Sequence, residues 1–255
     1  MVLGNHKLVD NGLREFEWGY ARQSQDGSFP ETGDAFHSVS TYVPDTARAL
    51  LVLRDRRDEF AESIPRMEKI IPHVGAAAEW LRQPAILEPG KRHDQPYTHR
   101  KWMLAAALGE AAQLTGNERL AGAAFAAEGI ALQHDDGENP EKGGFDVSCQ
   151  MVDALNGASY YSTLKCQTSA DLMSRVRRMI ERTCRWEMHR ILATGEIDVT
   201  GSTRMLKEPA RSGAIERTNY KEVVEAFSFT AAITGDSGYV EAAERLVRFQ
   251  GWVPQ

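Results

Sequence analysis

Asp26-Gly27-Ser28-Phe29-Pro30-Glu31-Thr32-Gly33-Asp34-Ala35-Phe36-His37-Ser38 returns 110 positions later as Asp136-Gly137-Glu138-Asn139-Pro140-Glu141-Lys142-Gly143-Gly144-Phe145-Asp146-Val147-Ser148, and the two share the pattern DGxxPExGxxxxS. Each copy follows one helical segment and leads into another. The repeated unit is therefore helix, loop and helix, and internal repetition of that kind implies stacked helical hairpins. A second pair agrees: Leu114-Thr115-Gly116-Asn117 with Leu120 and Ala123-Ala124 matches Ile233-Thr234-Gly235-Asp236 with Tyr239 and Ala242-Ala243. There a Gly closes one helix and Asn or Asp opens the next, which makes a tight joint.

Apolar spacing near 3.6 predicts helices at about 7–24, 43–56, 60–82, 98–115, 117–133, 148–164, 168–191, 219–234 and 237–250. No long strand is expected. Segments near 60, 117, 168 and 237 carry charge on one face, as Arg175, Arg177, Arg178, Glu181 and Arg182 do beside Met173, Val176, Met179 and Ile180. Segments 102–114 (WMLAAALGEAAQL), 147–164 and 223–233 are small and apolar nearly all round, as a helix packed on several sides must be. Alternating outer and inner helices give the plan of an all-α fold, an α/α toroid of about four to five hairpins whose ring is allowed to be incomplete. The 255 residues are read as one domain, since a repeat array can exceed the usual domain size.

Composition excludes several functions. No apolar run approaches the roughly 20 residues that cross a membrane, and the first residues lack the pattern of a secretory signal; a soluble protein is expected, with its compartment open. A net charge of -6, with 30 basic residues spread among 36 acidic ones, leaves no footprint for nucleic acid. Cys149, Cys166 and Cys184 are odd in number and form no CxxC pair, so they read as plain buried thiols. No cofactor and no metal ligand set is expected.

In the toroid plan the long connections, 25–42, 83–98, 134–148 and 192–219, emerge at one end of the ring, and function belongs there. They hold Asp26, Glu31, Asp34 and His37; His93, Asp94, Tyr97, His99 and Arg100; Glu141 and Asp146; and Arg204, Lys207, Arg211, Arg217 and Asn219. A short hairpin is expected over 196–204. His99 and Arg100 sit on the first turn of the most apolar helix, where a helix N-terminus repels cations, and that conflict marks them as functional candidates. Asp146, two residues before an inner helix, is equally placed to cap it or to act in a site.

Gln23-Ser24-Gln25-Asp26-Gly27-Ser28-Phe29 and Asp45-Thr46-Ala47-Arg48-Ala49-Leu50 resemble the QxxDGSF and DTAxAL patterns of α/α-toroid proteins, including terpene cyclases and carbohydrate-active enzymes. The cyclase branch needs an acidic DxDD box, and here that stretch reads Tyr42-Val43-Pro44-Asp45, with Pro in the proton donor's place. The second copy of the repeat, with Tyr97-x-His99-Arg100, resembles toroid polysaccharide-degrading enzymes. The resemblance implies a polysaccharide or oligosaccharide substrate.

Two chemistries fit those residue types. A lyase acting on a uronate polymer needs a base, an acid and a neutraliser of the carboxylate. Tyr97 or His99 supplies acid and base, Arg204 and Arg100 the clamp, Asn219 a further neutraliser, and Trp102 or Tyr220 a sugar-stacking surface, with His37 and Glu141 as further binding residues. An inverting glycoside hydrolase needs two carboxyl groups about 6.5 to 9.5 Å apart, for which Asp34 and Asp146 with Glu31 or Glu141 are the candidates. A third reading is non-catalytic, a helical-repeat module that binds a glycan or a protein.

Overall fold

The structure is a computed structural model that describes residues 5–92, 97–164, 168–207 and 215–249. These form ten α-helices and one 3-10 helix, and no strand occurs among the described residues. His93, Asp94, Cys166 and Arg211 lie outside them. No helix among the described residues is long and apolar enough to cross a membrane. The chain divides into two compact units, Met1–His93 with Ala106–Gly122, and Asp94–Ala105 with Ala123–Gln255.

The first unit contains α1 (His6–Tyr20), α2 (Ala35–Asp55), the 3-10 helix Ala61–Ser63, α3 (Ile64–Arg82), α4 (Pro84–Arg92) and the later turns of α5 (Thr98–Thr115). α1 is amphipathic, turning Val9, Leu13 and Tyr20 inward. Its acidic face meets α3, where Arg66 bonds Glu17 at 2.7 Å and also contacts Asp10. α2 is the inner helix and is buried on several sides, through Val39, Val43, Ala47, Leu50, Leu51 and Leu53. It starts eight residues before the expected position, because Asp34 caps it by accepting from the His37 N–H at 3.0 Å. Residues 35–42 are thus helix, not loop, and the helix continues through Pro44. Arg54, at its last turn, donates to the carbonyls of Gln113 and Leu114 at the end of α5, satisfying acceptors that a helix C-terminus leaves open.

The connection expected at 83–98 is also largely helical. α4 packs on α2 and α3, and Gly90 admits the Phe36 ring, which a Cβ there would meet at 2.4 Å.

The second unit contains the first turns of α5 and α6 (Ala123–Leu132), α7 (Val147–Leu164), α8 (Ala170–Met188), α9 (Tyr220–Thr234) and α10 (Ser237–Val247). α7 is inner, packed on α8 and α9, while α8 also meets α6 and α9 meets α10. α8 turns Met173, Val176, Met179 and Ile180 inward and leaves Arg178 and Arg185 exposed. α6 starts at Ala123, not 117, because Asn117 opens a turn in which Leu120 N–H donates to its carbonyl. The hairpin expected over 196–204 reduces to one bridge between Ile191 and Ile197.

The repeat has a common physical form. In each copy the Asp accepts from the backbone two residues on, at 2.9 Å in Asp26 to Ser28 and 3.0 Å in Asp136 to Glu138. In each the Gly is left-handed, φ +92° at Gly27 and +100° at Gly137, and lies against the backbone of a neighbouring helix. An added Cβ would come within 2.2 Å of the Ala76 carbonyl oxygen on α3, or 2.5 Å of that of Arg182 on α8. A third copy occurs at Thr194-Gly195: Thr194 Oγ1 accepts from Glu196 N–H at 3.3 Å, Gly195 has φ +85°, and its Cβ would meet the Arg245 carbonyl oxygen on α10 at 2.4 Å.

Candidate functional site

The second DGxxPE turn builds the site. After Pro140, Lys142 and Gly143 both take positive φ, 49° and 78°, and fold the chain back so that Glu141 bridges Gly144 on one side and Tyr97 on the other. Thr98 Oγ1 donates to the Pro140 carbonyl at 2.9 Å, which fixes the start of α5 against this clip. His99, on the first turn of α5, and Glu141 are thereby set face to face, with His99 Nδ1 2.9 Å from Glu141 Oε2, and both side chains are buried.

α7 supplies the next wall. Asp146 caps it, Oδ1 accepting from Cys149 N–H at 2.9 Å and Oδ2 from the Ser202 hydroxyl at 2.8 Å. Thr203 ties the loop after α8 to the clip, its N–H donating to the Phe145 carbonyl at 2.8 Å and its hydroxyl to that of Glu141 at 3.1 Å. Arg204 follows and reaches inward. One guanidinium nitrogen lies 3.1 Å from Cys149 Sγ and the other 3.2 Å from Glu216 Oε1. Donor atoms of His99, Glu141 and Cys149 all lie within 4.8 Å of one another. Tyr97 covers one side: the His99 ring meets its edge with centroids 5.1 Å apart, and the Arg100 guanidinium stands 5.2 Å from its ring centre.

Burial controls the charges. It pushes the Glu141 carboxyl up to about 9, a rise that Arg204 opposes and Asp146 reinforces. It pushes the His99 imidazole down to about 3, assisted by Arg204 and then Arg100. Low dielectric disfavours the ionised form of either group. Across neutral pH the pair thus holds one proton and no net charge, with Glu141 Oε2–H donating to a neutral imidazole. Burial likewise holds the Cys149 thiol and the Asp153 carboxyl well above their ordinary values, and Glu187 up to about 8.

Of the residues expected to act, Tyr97, His99, Glu141, Asp146 and Arg204 meet in this cluster, with Arg100 beside Tyr97. Trp102 is fully buried and is not a sugar platform, because Gly129 makes room for its ring, and a Cβ on Gly129 would stand 2.7 Å from its Nε1. Asn219 caps α9, accepting from Glu222 N–H at 3.5 Å, and its own N–H donates to the Ser148 hydroxyl at 3.3 Å. The Tyr220 ring stacks on Phe249 with centroids 5.3 Å apart, and its hydroxyl accepts from Ile197 N–H at 3.1 Å. His37 belongs to the first unit, on the first turn of α2, where it lines a cavity of about 750 Å³ with Trp18, Phe29, Glu31 and Tyr42.

Cys149, Ser202, Thr203 and Glu216 join the cluster without having been expected there. Cys149 has a readable signal, since it lies three residues after Asp146 at the head of an inner helix and four before Asp153 on the same face. Compared with known proteins, the chain matches no family model, no curated sequence and no solved structure.

Proposed function

We propose that the protein is a carbohydrate-active enzyme, a polysaccharide lyase that cleaves an anionic, uronate-containing polysaccharide by β-elimination. The observation that carries this reading is the buried, proton-holding His99–Glu141 pair beside the guanidinium of Arg204. Elimination requires loss of the proton next to the uronate carboxylate and delivery of a proton to the departing oxygen. Arg204 can offer a fork to that carboxylate by exchanging its contact with Glu216, which stabilises the charge that develops there. The neutral imidazole of His99 is able to accept a proton, Glu141 is able to give one, and Tyr97 stands next to both. The alternation of inner and outer helices within each unit favours an α/α toroid as the scaffold.

The hydrolase alternative, with Asp146 and Glu141 as paired carboxyl groups, is less favoured because both Asp146 oxygens are engaged in the α7 cap and with Ser202. A panel of acidic and neutral polysaccharides, followed by absorbance of new double bonds and by reducing ends, tests the reading. Acidic polymers alone should yield double bonds, and Arg204→Lys should lower kcat/KM on them by at least about tenfold through loss of the fork. Reducing ends without double bonds, or turnover of neutral polymers only, would overturn it.

A further inference from the structure

We propose that His99, Glu141 and Cys149 form a binding site for a divalent transition-metal ion, zinc foremost. An imidazole, a carboxylate and a thiolate are the three ligand types zinc accepts, and a mixed nitrogen, oxygen and sulfur set suits it better than magnesium or calcium, which take oxygen. Zinc bond lengths of about 2.0 to 2.3 Å separate tetrahedral ligand atoms by roughly 3.3 to 3.8 Å. Here the donors lie within 4.8 Å of one another, with His99 Nδ1 and Glu141 Oε2 at 2.9 Å, so shifts of about 1 Å would bring all three onto one ion. Three protein ligands leave one tetrahedral position for a further donor.

A second observation points the same way. Glu141 Oε1 is buried without a hydrogen-bond partner, and so is Asp153 Oδ1, one turn beyond Cys149 on α7. Unpaired buried acceptors cost free energy that a cation would relieve. Charge also balances. A dication bound to neutral His99, the Glu141 carboxylate and the Cys149 thiolate leaves the ligand set neutral. Arg204 does not block this. Its N–H, 3.1 Å from Sγ, is placed to donate to the ligated thiolate, the outer contact that orients a metal ligand.

The site stands on donor geometry and not on the lyase reading. Because the ion would displace the proton that reading assigns to the same pair, the metal-bound form would be unable to run the proton transfer.

The test uses the full chain, freed of metal with a chelator and then titrated with zinc by calorimetry and with cobalt by absorption. One ion should bind per chain, and cobalt should give a thiolate charge-transfer band. Cys149→Ser should abolish that band and weaken zinc by at least about tenfold, while Cys184→Ser, at the other described thiol, should change neither. If Cys149→Ser fails to fold by circular dichroism, the cobalt spectrum of the unaltered protein still decides. No saturable binding, binding without the thiolate band, or an unchanged Cys149→Ser would overturn the proposal. Lyase assays play no part, so either idea can fail alone.

Discussion

Replacing Glu141 by Gln should make the protein less sensitive to alkali, and the size of the change follows from the buried pair. In the folded chain the His99–Glu141 pair keeps its proton up to about 9, whereas in the unfolded chain the carboxyl loses its proton near 4.5 and the imidazole near 6.5. Between 6.5 and about 9 the folded state therefore binds one more proton than the unfolded state, and stability falls as pH rises. Each pH unit removes about 1.4 kcal/mol, or about 3 kcal/mol over the window. Between 4.5 and 6.5 the folded pair and the unfolded groups hold the same number of protons, so the pair contributes no slope. Below 4.5 the unfolded state binds two protons against one, and stability falls with acid until the imidazole is protonated near 3. The slope depends on the proton count of the pair and not on which member carries it. Gln keeps the shape and donates to His99 Nδ1 through its amide, but it cannot titrate. Urea unfolding of both proteins at closely spaced pH values isolates the change at residue 141, because Glu187, whose shift owes nothing to Glu141, is common to the two and cancels. The stability difference should drift in favour of the Gln variant above 6.5. A difference that stays constant to within about 0.5 kcal/mol across the window would refute the claim that the pair retains its proton.

Trp102→Ala should destabilise by about 3 to 5 kcal/mol, the usual cost of removing a large core aromatic, and urea unfolding should show it; an unchanged midpoint with weakened glycan binding would restore the surface role. Gly137→Ala and Gly195→Ala should each cost well over the roughly 1 kcal/mol of left-handed strain alone, since the new methyl would meet a helix carbonyl. Gly143→Ala, at φ +78° with nothing within 4 Å, should cost only that strain. Equal melting temperatures for Gly137→Ala and Gly143→Ala would contradict the close approach.

What could be read from residue types alone was the part that local chemistry dictates. Asp26-Gly27 and Asp136-Gly137 were legible as turns because an Asp side chain and a Cβ-free residue impose that conformation wherever they occur. The third turn was hidden, since Thr194 replaces the Asp and no Pro-Glu follows Gly195. The start of α2 could have been found from Asp34 ahead of Ala-Phe-His, but the loop character of the preceding residues masked the cap. α4 holds Pro89 and Gly90, both poor helix residues, and its helicity rests on tertiary packing such as Phe36 against Gly90. Within the site, His99 stood out by its conflict with the helix terminus. Glu141 and Arg204 were recognisable as polar residues in long loops, while Glu216 carried no local signal. Trp102 misled because an aromatic beside His and Arg reads as a stacking surface, and only the small residue at Gly129, against which its ring lies, reveals that it is enclosed.

The three glycine contacts bear on how such a chain assembles and lengthens. Each joins a turn to a helix about fifty residues further along, Gly27 to Ala76, Gly137 to Arg182 and Gly195 to Arg245. α8 takes both roles: its Arg182 carbonyl receives one glycine, and the turn that follows it delivers the next. The α8 segment thus carries a socket at one point and a plug just after it, so copying such a segment duplicates the means of attaching it, with no new interface to evolve. Because attachment is to the next neighbour, loop closure stays short and docking can spread from whichever joint forms first.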